Sequence, residues 1–174
     1  MKRSLLSAAL VIAASGATAQ HAHTSSSSPS ETGQSQFAAI AEVVTLLRND
    51  PDTDWEQVDV KALRDHLVDM DNVTTGASVE RMIDGLNVTF VITGDEVVSA
   101  SIQRMVLAHS PMLQGSSDWI VIAEELNDGA TMLVQVGSED ELNQVLGLGF
   151  FGLMTIGAHH QQHHLMIATG RSPH

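Results

Sequence analysis

The chain has 174 residues, with 8 Lys and Arg against 21 Asp and Glu, nine His, eight Met, no Cys and no Tyr. Its formal charge of −13 repels phosphate backbones and anionic lipid, which excludes nucleic acid as a partner. Without cysteine there is no disulfide, no thiolate metal site, no covalent c-type haem attachment and no cysteine nucleophile. Any metal must therefore be held by imidazole, carboxylate or thioether.

Residues 1–19 read as a cleaved secretory signal peptide. Lys2 and Arg3 lead an apolar stretch, Leu5 to Ala14, that is too short to span a membrane. Ala17-Thr18-Ala19 then places small residues where a signal peptidase cuts, leaving Gln20 as the mature N-terminus. A signal of this form predicts a bacterial periplasm. Its removal takes two basic residues and no acidic one, for a mature charge of −15 from six basic and 21 acidic groups. Residues 20–36 are Ser-rich, polar and without apolar periodicity, and read as a flexible leader. His21 and His23 in that leader, with the new amine, offer an auxiliary metal donor set.

A single domain is expected from 37 to 170, followed by a short tail, 171–174. Phe37, Ile40, Ala41, Val44 and Leu47 fall at helical spacing and stop near Asn49-Asp50-Pro51. Asp54 or Asp59 caps a second helix reaching about Asp71, with Val60, Leu63, Leu67 and Met70 inward. The texture then alternates on both sides of Asp84-Gly85, a hairpin signal. A helix from about Asp95 to Leu113 follows. A second hairpin turns at Asn127-Asp128-Gly129, and Ser138 with Glu141, in capping-box spacing, opens another helix. The two stretches resemble copies of one unit. The predicted class is α+β: two leading helices, then a tandem ββα repeat forming an antiparallel four-stranded sheet with helices packed on one face.

Val145 to Ala158 carries no charge and four glycines, Gly147, Gly149, Gly152 and Gly157. Each glycine inside a helix costs about 1 kcal/mol against alanine. Close packing against another backbone is the expected reason, with a break near Gly147-Leu148-Gly149 or a homodimer through the glycine face as rivals. Continued as one helix, the stripe Leu142, Leu146, Gly149, Leu153, Ile156 reaches His160 and His164. That extension sets His160 and His164 inward and His159 and His163 nearer the edge.

The stretch Gly157 to His164, GAHHQQHH, is the centre of the chemical reading. His159/His163 and His160/His164 are pairs four apart, and each pair can chelate one ion through two imidazoles on a helix. Two other helices repeat the theme: His66 with Met70, and Met105, His109 and Met112 along one face. Met at helical spacing is more often core filling than ligand, yet His66 and His109 are the only histidines between residues 24 and 158, and each has a Met four away. The expected site is therefore His160, His164, His159, His163, His109, Met105, His66 and Met70. Imidazole with thioether suits copper best, with zinc next and haem through His/Met or bis-His ligation third. Asp65, Asp69 and Asp71 read as a solvated acidic face, one of which could orient His66.

The sequence contains no G-x-S-x-G elbow, no H-E-x-x-H and no phosphate-cradling glycine loop, so the chain leans away from an enzyme. The His-His-Gln-Gln-His-His-Leu-Met-Ile-Ala phrase resembles a His-His-Gln stretch in small secreted ferritin-like proteins associated with metal handling. The hairpins conflict with their all-helical bundle, and no residue role is carried over. The expected function is periplasmic storage, buffering or delivery of a metal ion to a periplasmic or membrane metalloprotein. The alternatives are a metal-free interaction domain, a haem-binding protein and a metal-dependent enzyme.

Overall fold

A computed structural model describes residues 35–157 and 160–171. The expected signal peptide, nearly all of the Ser-rich leader, His159 and residues 172–174 lie outside the described residues. The elements run α1 (Ser35–Asn49), α2 (Val60–Gly76), β1 (Ser78–Asp84), β2 (Asn87–Thr93), α3 (Glu96–Gly115), β3 (Ile120–Leu126), β4 (Gly129–Gln135), α4 (Glu139–Leu153) and α5 (His160–Ala168). The class is α+β, with four antiparallel strands in the order β1-β2-β4-β3.

Two hairpins join along their inner strands. β2 and β4 pair with Phe90 opposite Met132 and Val88 opposite Val134, and the alternation along both strands sends these four side chains to one face. That face is sealed by α3 and α4, through Ile102, Val106 and Leu113 of α3 and Leu142, Val145, Phe150 and Leu153 of α4. The opposite face keeps Met82, Ile120 and Ile122 exposed. A second, smaller core joins α1, α2 and α5 through Val43, Leu47, Leu63, Leu67 and Ala168.

Local chemistry sets the helix starts. Asp59, not Asp54, caps α2, its Oδ1 accepting from Ala62 N at 2.9 Å. Asp95 caps α3 by accepting from Val97 N and Val98 N at 3.1 and 3.0 Å. Ser138 Oγ accepts from Glu141 N at 3.3 Å, whereas the Glu141 carboxylate reaches Gly137 N at 2.7 Å. The capping box is thus displaced by one residue on its return bond.

The expected single helix from Val145 through the histidines is corrected in two places. Gly149 has φ 61 and ψ −178, a kink inside α4 at the position named as the rival reading. The chain then leaves α4 after Leu153, turns, and reaches Gly157 at φ +77 before α5 begins at His160. A left-handed φ suits glycine alone, and here it re-aims the chain. Gly157 is also where close packing occurs: a Cβ there would sit 2.7 Å from the Met112 carbonyl oxygen and 2.5 Å from Ser116 Oγ. Gly147 has open space around it, so backbone contact does not explain it.

Candidate functional site

α2 and α3 pack side by side and present matching stripes to the same gap. From α2 come His66, Met70, Val73 and Thr74, and from α3 come Met105, Ala108, His109 and Met112. Residues at these three-, four- and seven-residue intervals share one helix face, so the two His/Met patterns meet because the helices meet along those faces. The gap is bordered by Phe151 of α4, by Met154 and Thr155 just after it, and by His163 of α5. Together they line a partly open cavity of about 100 Å³ at the seam between the two cores.

Of the expected residues, His66, Met70, Met105, His109 and His163 line this cavity. The broken helix changes the histidine register. His163, placed near the edge by the continuous-helix extension, is 9 % exposed, and His164 is 6 % exposed. Both therefore turn inward. His160 opens α5, and His159 lies outside the described residues. The ring of His66 lies 4.8 Å from that of His163 and 5.7 Å from that of His164, and the latter two are 6.1 Å apart, centre to centre. Two imidazoles on one tetrahedral ion, with nitrogens at about 2 Å, have ring centres roughly 5 Å apart. The spacing is near that value, but among the described residues no three His, Cys, Asp or Glu side chains form a group that could hold a metal ion.

His109 is 4 % exposed, and its Nε2 lies 3.1 Å from the Leu153 carbonyl oxygen. A carbonyl only accepts, so Nε2 carries a proton and donates to it. The bond satisfies a carbonyl at the C-terminus of α4. It is also the arrangement by which a metal-binding histidine is usually held, with its second nitrogen donating to a backbone carbonyl.

Met112, Met154 and the small hydroxyls Thr74 and Thr155 complete the wall. Met112 was visible as the third member of the α3 stripe. Met154 carried no signal, because it lies in the turn created by the α4–α5 break.

The acidic face is solvated at Asp65 and Asp71, as expected, and is corrected at Asp69. Asp65 pairs with Lys61 and Arg64 at the surface, where those partners hold its carboxyl below the ordinary value. Asp69 points between α2 and α3, where Arg104 clasps it at 2.8 Å (Nε–Oδ2) and 2.6 Å (Nη2–Oδ1) and Ser101 Oγ donates to it at 2.8 Å. Asn72 Nδ2 in turn donates to Ser101 Oγ at 3.0 Å. Burial works to raise the Asp69 carboxyl, but the hydrogen bonds from Arg104 and Ser101, with the charges of Arg104 and His66, outweigh it and hold the pKa below the ordinary value. Asp69 therefore ties α2 to α3.

Fold and site define an α+β protein with a partly open histidine–methionine cavity between helices. Comparison of the chain with protein-family models, curated proteins and solved structures finds no match. No helix among the described residues is long and apolar enough to cross a membrane.

Proposed function

We propose that the chain is an exported, periplasmic protein that binds a transition metal, copper foremost, in the His/Met cavity, and that it stores, buffers or delivers the ion to a periplasmic or membrane metalloprotein. One observation carries this reading. The His/Met stripes of α2 and α3 were selected by spacing alone, and both line one cavity with a histidine of α5. Methionine serves cores as a flexible filler of irregular gaps. Four methionines around a gap that remains open are poorly explained by filling, and a space with soft donors on its walls suits an ion.

Zinc remains the second metal, since three imidazoles lie near one another. Haem has less support. A cavity of about 100 Å³ is well below the ~300–1,000 Å³ typical of cofactor sites. The export reading rests on residues 1–19 alone. The glycine face proposed for a homodimer leaves Gly147, Leu148 and Phe151 exposed, which keeps that reading available beside the metal.

Equilibrium dialysis of the full chain, made without a polyhistidine tag, against copper and zinc tests the proposal. Uptake that falls in His66→Ala and His163→Ala but persists in His21→Ala/His23→Ala supports the cavity. Uptake lost only with the leader histidines overturns it.

A further inference from the structure

Resting on the metal reading above, we infer that the ion is monovalent copper, Cu(I), and that the thioethers of Met70, Met105, Met112 and Met154 are its main donors. Two independent features of the cavity point this way. The first is donor type. α2 supplies one methionine, α3 two, and the turn after α4 a fourth, so the residues that carry soft sulfur come from three separate segments. Thioether sulfur selects Cu(I) over the harder divalent ions.

The second is charge. Among the described residues no Asp or Glu lines the cavity: the polar groups of its wall are imidazoles and threonine hydroxyls. Asp69, in the α2–α3 seam, is bonded to Arg104 and Ser101. The cost of bringing an ion from water into an apolar site grows with the square of its charge, so a divalent ion pays about four times as much as a monovalent one. With no carboxylate among the lining residues to offset it, Zn(II) or Cu(II) is penalised, and a single positive charge is the state the cavity accommodates best. The net charge of −13 still draws cations to the surface in general. Valence selection is a property of the interior.

The test is an anaerobic titration of the full chain with Cu(I) against a chromogenic Cu(I) chelator, with Ag(I) as a redox-inert mimic and Zn(II) and Cu(II) as comparisons. X-ray absorption is recorded on the Cu(I)-loaded protein. The inference expects Cu(I) and Ag(I) to bind ahead of both divalent ions, with sulfur in the first coordination sphere. Met112→Leu/Met154→Leu, which keeps volume and apolarity, should weaken Cu(I) binding at least about tenfold, since even groups behind the ligands cost about 10–100-fold. An all-nitrogen coordination sphere, or Zn(II) bound more tightly than Cu(I), overturns the Cu(I) assignment while leaving a metal site in place. Absence of binding by every metal overturns both this inference and the function it rests on. The absorption spectrum of the unmodified chain decides the donors whether or not the double variant folds.

Discussion

His66 of α2 and His163 of α5 face each other with ring centres 4.8 Å apart and planes tilted by 58°. α5 is also held to α2 by the hydrogen bond from Asp59 N to Ala168 O at 2.7 Å and by packing of Ala168 on Leu63 and Leu67. The imidazole pair therefore sits at a contact that borders the cavity and joins the end of the fold to its second helix.

If both rings serve one ion, they act as a unit. His66→Ala and His163→Ala should each weaken metal binding, and the double variant should lose less than the sum of the two single losses. Calorimetric titration of the four proteins measures the coupling. Additive losses mean that the two histidines hold metal independently or not at all.

The Asp69–Arg104 clasp makes a pH prediction. The folded Asp69 pKa lies below the unfolded carboxylate value of about 3.9. Its stabilisation is therefore complete above that value and is lost as pH falls through the folded pKa. Arg104 is largely solvent-exposed, so the contribution is modest, about 1 kcal/mol. Asp69→Asn should lower unfolding stability by that amount at pH 7, and the gap between the two proteins should narrow below pH of about 4. Urea denaturation at a series of pH values checks it; a gap constant down to acid pH would show that the charge is not what matters.

Gly157→Ala tests the turn that sets the histidine register. The added methyl meets the Met112 carbonyl oxygen at 2.7 Å in a conformation, φ +77, that alanine resists. We expect a loss of about 1–3 kcal/mol from strain and overpacking together. Because Met112 and His163 both line the cavity, metal affinity should fall as well. Thermal unfolding with and without copper separates the two effects. Unchanged stability contradicts the geometry of this turn.

Much of the frame is legible in the residues. Period-two runs around Asp84-Gly85 and Asn127-Asp128-Gly129 announce both hairpins, because one face of each inner strand must be buried while its neighbours point away. Asp95 and Ser138 mark helix starts through orphan backbone N–H groups. The α2 and α3 members of the cavity are legible too, since stripe spacing survives folding. What fails is extrapolation across Gly149 and Gly157. Apolar periodicity carries phase only along an unbroken helix, and each positive-φ glycine resets it, which is why His163 turns inward and Met154 joins the wall unannounced. The burial of Asp69 is not legible in the sequence for another reason. Its partner, Arg104, lies on a different helix, and no local spacing reports that pairing.

The central claim is that this cavity holds copper, and metal analysis tests it most directly. The full chain, purified without a polyhistidine tag and incubated with copper and zinc in turn, is compared with His66→Ala/His163→Ala. The first should carry close to one copper per chain and the second should show a large loss. Equal, near-zero copper and zinc in both proteins, before and after incubation, would contradict it.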